Sequence, residues 1–117
     1  MKILSFNCIG LAKPAKKSSP SCMVETIGPD IIFLQETLGM KDEIVDLLSK
    51  LFPGWSFIAE DVKGISGGLV IGRCSKCVKM TKFWGMENVL GLEVSSKELG
   101  RYISLINIYG PYIEILQ

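Results

Sequence analysis

The chain has 117 residues, enough for one domain with a hydrophobic core and too few for two. Hydrophobic residues make up 48% of the sequence, which excludes an intrinsically disordered segment. Thirteen Lys and Arg residues against twelve Asp and Glu residues give a net charge of +1, so overall charge favours neither a nucleic acid nor a membrane as partner. The sequence contains no apolar run of roughly 18 residues, so we expect no membrane span.

The first ten residues, MKILSFNCIG, lack the uninterrupted apolar region and the cleavage site of a secretory signal. We therefore expect an intracellular protein, nuclear or cytoplasmic, whose four cysteines are thiols. The segment CSKC, from Cys74 to Cys77, has a spacing found in zinc sites, but the chain has no histidine and the other cysteines are distant. Free thiols at a strand connection are the favoured interpretation.

The first half of the chain predicts two strands and two helices. A short buried strand at 2–6 precedes a loop rich in Gly, Pro, Ser and Lys, and Ser19 before Pro20 is typical of a helix start. That helix is expected to run to about Thr26, with Cys22, Met23 and Ile27 on its inner face. The run IIFLQ (31–35) suits a strand covered on both faces. Residues 40–52 form an amphipathic pattern, with Ile44, Leu47, Leu48 and Leu51 on one side.

The second half predicts five more strands, at 55–60, 67–72, 78–84, 89–95 and 102–110. The element order is then β-α-β-α-β-β-β-β-β. The opening βαβ unit predicts two parallel strands, and the later short connections predict antiparallel pairs. The sequence therefore indicates an α/β protein with a mixed β-sheet.

Two oxygen-bearing side chains follow the first two predicted strands, Asn7 after the first and Glu36 after the second. The carboxyl ends of parallel strands meet at one edge of a sheet, where ligands of open α/β sheets bind. An amide oxygen and a carboxylate favour a hard cation, most simply Mg²⁺. Alternatively, Glu36 caps the following helix or pairs with a lysine, and the pattern alone does not decide between these interpretations.

Four segments, MKILSFNCIGL, PDIIFLQET, GISGGLVI and ISLINIYGPY, occur in an order and spacing that carry a family resemblance. Together they resemble the N-terminal half of the endonuclease/exonuclease/phosphatase superfamily. Within that superfamily, the sequence most resembles the apurinic-endonuclease-like domain of plant LINE-type retrotransposons. The resemblance covers essentially the whole chain, and it implies that residues 1–117 form half of a four-layer α/β sandwich.

The resemblance also implies roles for four residues. Asn7 and Glu36 would bind the catalytic Mg²⁺, with Mn²⁺ as an alternative, and Tyr109 would lie near the scissile phosphate. Asn107, two residues earlier, is a weaker catalytic candidate. Without the resemblance, Tyr109 is better explained as a strand-end aromatic residue beside Pro111. The implied substrate is DNA.

The sequence departs from the family in lacking two later motifs. One supplies the Asp that activates water and the other an Asp–His pair at the phosphate, and the chain contains no histidine. Losing one such group typically costs about 10²–10⁴ in rate. We therefore expect a truncated, inactive fragment of a Mg²⁺-dependent endonuclease acting on DNA phosphodiester bonds. The alternatives are a non-catalytic binding module and an enzyme completed by a separately encoded half.

The remaining sequence features predict exposed surface or core packing rather than catalysis. A half-fold is expected to expose an apolar sheet face and to self-associate. The GISGG segment lacks the following helix and the His partner of a nucleophile elbow, so Ser66 is not expected to be catalytic. Gly67 and Gly68 are instead expected to begin a strand where two backbone segments approach closely. For the loop lysines Lys13, Lys16 and Lys17, solvent exposure is favoured over contact with a nucleic acid. Trp55 and Trp84 are expected to pack in the core.

Overall fold

The computed structural model describes residues 1–7, 20–37, 39–61, 68–86, 89–98 and 100–108. The described residues form nine elements, whose boundaries lie within two residues of those predicted. In chain order they are β1 (Ile3–Asn7), α1 (Pro20–Ile27), β2 (Ile31–Gln35), α2 (Lys41–Leu51), β3 (Trp55–Glu60), β4 (Leu69–Cys74), β5 (Lys79–Met86), β6 (Val89–Ser95) and β7 (Tyr102–Ile108). The α/β class is confirmed.

The strands form two sheets, a division that the element order alone did not predict. The first sheet has the strand order β1-β2-β4-β3, and the second has the order β5-β6-β7. Strands β1 and β2 are parallel, as predicted for the βαβ unit, whereas β2–β4, β3–β4 and both pairs of the second sheet are antiparallel. The first sheet is therefore the mixed sheet that the sequence indicated.

Strand β2 supplies side chains to two separate hydrophobic cores. Ile32 and Leu34 pack with α2, while Ile31 and Phe33 pack toward the second sheet. This alternation follows from the two-residue period of a strand, in which successive side chains point to opposite faces. The layers are therefore helices, first sheet and second sheet, and both faces of β2 are covered as predicted.

The helices use only part of their predicted apolar faces. In α2, Ile44 and Leu48 are buried, but Leu51 is 48% exposed at the helix end. The first-turn N–H of Lys41 donates to Oδ1 of Asp61 over 3.0 Å, and Met40 makes no side-chain cap. In α1, Val24 contacts the core, whereas Ile27 is exposed, so the prediction for Ile27 was wrong.

The outward face of the second sheet carries exposed apolar side chains. Met86, Ile106 and Ile108 are 50–59% exposed, and the strand register sets Met86 and Ile108 in one cross-strand row. The second sheet therefore carries the exposed apolar face that was expected of a half-fold. The first sheet is covered by the helices on one side and by the second sheet on the other.

The two tryptophans occupy different layers. Trp55 packs with Phe52 and Phe57, with ring centroids 6.1 and 6.3 Å away, which confirms its core position. Trp84 lies over Gly91, where a β-carbon would meet the indole ring. Because Leu90 and Leu92 face the core, Gly91 and Trp84 face outward, so the core prediction for Trp84 was wrong.

No helix in the described ranges is long and apolar enough to cross a membrane.

Gly68 precedes β4 at a close contact with the segment after β2. Its φ of +111° is unfavourable for residues with a side chain, and an added β-carbon would overlap the side chain of Thr37. Thr37 is buried, and its N–H donates to the Gly68 carbonyl over 3.4 Å. The predicted close backbone approach is therefore confirmed at Gly68, whereas Gly67 lies outside the described residues.

We predict that Gly68→Ala lowers the free energy of unfolding by about 3 kcal/mol, because backbone strain and overlap with Thr37 act together. Gly28→Ala is the matched control: Gly28 also has a positive φ, of +66°, but an added β-carbon would meet nothing within 4 Å. In the control, the free energy of unfolding should fall by only about 1 kcal/mol. Urea unfolding of both variants checks this, and equal losses would contradict the role given to the Thr37 contact.

Candidate functional site

The carboxyl ends of β1 and β2 bring the predicted metal ligands to one edge of the first sheet. Asn7 is the last residue of β1 and lies opposite Gln35, the last residue of β2. Glu36 follows Gln35 directly. The parallel pairing therefore brings Asn7 and Glu36 together at this edge, since neighbouring strands are only about 4.8 Å apart.

Glu36 has an unusual backbone conformation. Its φ is +56°, and no other residue except glycine has a positive φ in the described ranges. The left-handed conformation costs a residue with a side chain about 1–2 kcal/mol. The flanking contacts hold it there: Gln35 belongs to the β2 ladder, and the N–H of buried Thr37 donates to Gly68. Strain of this kind is concentrated at functional sites, which makes Glu36 the leading candidate.

The donor chemistry of this edge fits a hydrated Mg²⁺ ion. Asn7 is exposed and Glu36 is partly buried, and both side chains offer oxygen atoms. Within the described ranges no three His, Cys, Asp or Glu side chains are grouped as a metal cluster. Mg²⁺ is commonly bound by one or two carboxylates, with its other positions taken by water and phosphate oxygens. Two protein ligands, Asn7 and Glu36, would therefore be sufficient for such a site.

Asn107 joins the two sheets beneath this edge. It is 1% exposed on β7, and its Nδ2 donates to the carbonyl oxygens of Leu34 and Val70 over 3.2 and 3.0 Å. Its Oδ1 accepts a hydrogen bond from Nε2 of Gln35 over 2.7 Å. Because a carbonyl oxygen can only accept, these partners fix the orientation of the amide. Asn107 therefore positions β2 rather than presenting its amide to solvent.

Gln35 extends this network to the first strand. Its Nε2 also donates to Oγ of Ser5 over 3.1 Å, so Ser5, Gln35 and Asn107 connect β1, β2 and β7. No role for Gln35 was predicted from the sequence, where it ends the apolar run of β2. The available signal was a polar side chain ending an apolar strand, which in a buried strand requires a hydrogen-bond partner.

Several predicted residues lie outside the described part of the chain, so the structure does not locate them. They are Tyr109, Ser66 and the three loop lysines Lys13, Lys16 and Lys17.

The CSKC segment forms the tight connection between β4 and β5, at the opposite end of the sheets. Cys74 and Cys77 are unbridged, and their Sγ atoms lie 3.5 Å apart. The hydrogen bond with Cys74 and the charge that Cys74 acquires on ionisation raise the pKa of the Cys77 thiol. The Lys76 ammonium acts in the opposite direction and lowers that pKa.

No protein-family model matches the sequence, and no curated protein matches it at a significant level.

Solved structures do match, at low sequence identity. A humanized D. rerio TDP2 aligns over 91% of this chain and 45% of its own length, at TM-score 0.70 and 20% identity. The Leishmania major AP endonuclease LMAP aligns over 92% of this chain and 39% of its own length, at TM-score 0.66 and 23% identity. An endonuclease/exonuclease/phosphatase family protein from Bacteroides thetaiotaomicron aligns over 92% of this chain and 49% of its own length, at TM-score 0.64 and 13% identity.

The chain shares the α/β fold of the part of each structure with which it aligns. At these identities the comparisons establish the fold and not the activity. The chain spans about half the length, or less, of the structures it matches. The two-sheet arrangement described above is accordingly part of a larger fold in those proteins.

We predict that Asn107→Ala lowers the free energy of unfolding by about 3 kcal/mol, because it leaves buried partners in both sheets without their hydrogen bonds. Asn107→Asp should cost at least as much, since it keeps the shape but removes both donated bonds. Ser104→Ala, on the exposed side of β7, should change stability by less than about 0.5 kcal/mol. Urea unfolding measures all three, and a mild effect of Asn107→Asp would contradict the proposed bonding.

We predict that Cys74→Ala shifts the pH at half-maximal alkylation of Cys77 to lower values. Removing the Cys74 hydrogen bond and charge lets the Cys77 pKa fall, which increases the thiolate fraction that reacts. Lys76→Ala should shift the same midpoint to higher pH, because the positive charge that lowers the pKa is lost. Mass spectrometry of the Cys77 peptide after timed iodoacetamide treatment measures both, and shifts of the same sign would refute this account.

Proposed function

We propose that this chain is the metal-binding fragment of a Mg²⁺-dependent phosphodiesterase that acts on DNA phosphodiester bonds. The observation that carries the proposal is the left-handed conformation of Glu36 at the carboxyl end of β2, next to Asn7. A carboxylate held in a costly backbone conformation at the ligand-binding edge of an α/β sheet is better explained by a ligand than by helix capping.

Each named residue has a distinct role in this proposal. Glu36 and Asn7 would hold Mg²⁺, or Mn²⁺, through their side-chain oxygens. The bound cation would supply positive charge that stabilises a phosphate oxygen. Asn107, through Gln35, positions the end of β2. Tyr109 is proposed near the scissile phosphate on the resemblance alone, and we assign Asn107 to positioning because it is buried.

The choice of DNA rests on the sequence resemblance together with two structural neighbours. One neighbour is a D. rerio TDP2 complexed with a single-stranded DNA product, and another is an AP endonuclease. Other neighbours are a mannosyl-6-phosphatase and the 2′,3′-cyclic phosphatase ANGEL2. Phosphate esters are common to all four, so phosphoester chemistry is the broader proposal and DNA the narrower one.

We also propose that these 117 residues alone do not hydrolyse the bond. They contain no histidine, so no imidazole can protonate a leaving oxygen or contact the phosphate. The sequence resemblance further implies that the aspartate that would activate the attacking water belongs to a later motif, which is absent from these residues. The fold matches only about half of each larger neighbour, which supports the view that further residues complete the site.

A second candidate function is a non-catalytic interaction module. The exposed apolar side chains of Met86, Ile106 and Ile108 on the outward sheet face favour it, since such patches mark interaction sites. This candidate requires no cation at Glu36, and cation binding therefore separates the two functions.

We predict weak, saturable Mn²⁺ binding that broadens the amide resonances around Asn7 and Glu36 in NMR spectra, because paramagnetic broadening is confined to nearby nuclei. Glu36→Gln should weaken this binding at least tenfold, since it removes the carboxylate charge. Glu43→Gln, which removes the same charge from the exposed side of α2, is the matched control and should bind as the native chain does.

A plasmid-nicking assay and an abasic-site oligonucleotide then test hydrolysis in Mg²⁺. We expect no cleavage above that of Glu36→Gln. Cation-dependent cleavage that Glu36→Gln abolishes would overturn the predicted inactivity while supporting the phosphodiesterase assignment. Equal Mn²⁺ binding by Glu36→Gln and Glu43→Gln would overturn the metal site.

A further inference from the structure

A basic cavity lies at the end of the sheets opposite to Asn7 and Glu36. Its volume is about 310 Å³, and four of its lining residues are cationic. They come from separate parts of the chain: the connection after β4, the start of β5, the turn after β6 and the residue before β7. The four cations are Lys76, Lys79, Lys97 and Arg101.

The carboxylates near this cavity lie outside its lining. No acidic residue lines it, and none of its four cations forms a salt bridge within the described ranges, unlike Lys50 and Lys82. Asp30 and Glu98 line the adjoining cavity but have other partners. Asp30 accepts the backbone N–H of Lys2, and Glu98 pairs with the N-terminal ammonium at 2.9 Å.

The concentration of charge is local, because the whole chain has a net charge of only +1. Four like charges around one concave surface repel one another, and an anion placed among them removes that repulsion. The remaining lining includes the hydroxyl groups of Ser95, Ser96 and Tyr102. These groups can donate hydrogen bonds to phosphate oxygens, and an arginine guanidinium can donate two in parallel.

The cavity is too far from the candidate metal site to bind the same phosphate. Strand β6 runs from Val89, near the metal-site end, to Ser95 in the cavity wall, a length of about 20 Å. A single phosphate therefore cannot reach residues at both ends. The cavity is at the small end of the range for ligand pockets, about 300–1,000 Å³, which limits the occupant to a small molecule.

We propose that this cavity binds a small phosphate ester of nucleotide size, independently of the candidate metal site. Lys79 and Arg101 would bind the phosphate, with Lys76 and Lys97 adding positive charge at the rim. Tyr102, which is 64% exposed beside them, would offer its ring to the organic part of the ligand.

The test is an NMR titration of amide resonances with inorganic phosphate and then with AMP, at constant ionic strength maintained with chloride. We expect saturable shifts confined to residues 76–79 and 95–102, with no shift at Gln35 or Glu36. Lys79→Ala/Arg101→Ala should weaken binding of both probes at least tenfold. Both substitutions are at exposed positions, so the fold should be retained, as the remaining spectrum would verify.

The matched control is Lys41→Ala/Lys50→Ala, which removes two positive charges from α2 at the far side of the first sheet. It should bind phosphate and AMP within twofold of the native chain. Tighter binding of AMP than of phosphate, reduced by Tyr102→Ala, would support a ligand with a ring system. Equal affinity for the two probes would support recognition of the phosphate alone.

Three results would overturn the proposal. They are shifts that do not saturate with either probe, equal weakening by the two double variants, and saturable binding of a thymidine oligonucleotide without binding of phosphate or AMP. None of these depends on catalysis or on Glu36, so failure here and failure of the proposed function are distinguishable.

Discussion

Burial of β2 on both faces is the constraint on which the rest of the structure depends. Its alternating side chains enter the helix-side core and the core between the sheets. Hydrophobic burial is the dominant favourable term in folding, and β2, like its neighbour β4, contributes buried side chains to both cores. The same strand ends at Gln35 and is followed by Glu36, so a strand held by both cores carries the candidate site.

The edge of the first sheet combines this rigidity with polar groups that need partners. Asn107 accepts a hydrogen bond from Gln35 and donates two to main-chain carbonyl oxygens of β2 and β4. The end of β2 is therefore fixed by the second sheet as well as by its own. Thr37 and Gly68 fix the chain on the other side of Glu36. A site residue placed between two anchored neighbours can be held in a conformation that it would not adopt alone.

Much of the fold could be predicted from the sequence because its signals are local. The apolar run of β2, the helical spacing around Ile44 and the alternation in β6 each depend on residues close together in the chain. The split into two sheets depends on which faces meet, and no local pattern encodes that. Trp84 was misassigned for the same reason: an aromatic residue on a strand does not reveal whether its face is the inner one.

The candidate site was predictable to the same degree. Parallel pairing of β1 and β2 was enough to place Asn7 near Glu36, because the edge geometry follows from topology. The bonding of Asn107 was not predictable, since its partners Leu34 and Val70 are remote in sequence and use main-chain atoms. The positive φ of Glu36 could not be foreseen either, because glycine is the residue that normally signals such a position.

The strand order also determines which part of the molecule can assemble from nearby segments. Strands β5, β6 and β7 pair only with their neighbours in sequence, whereas β2 must pair with β4 across a helix and a further strand. Loop closure is entropically cheaper for the first arrangement, and contacts of low sequence separation form faster. The three-stranded sheet can therefore form from neighbouring segments, whereas the amide of Asn107 finds its partners only when the two sheets dock.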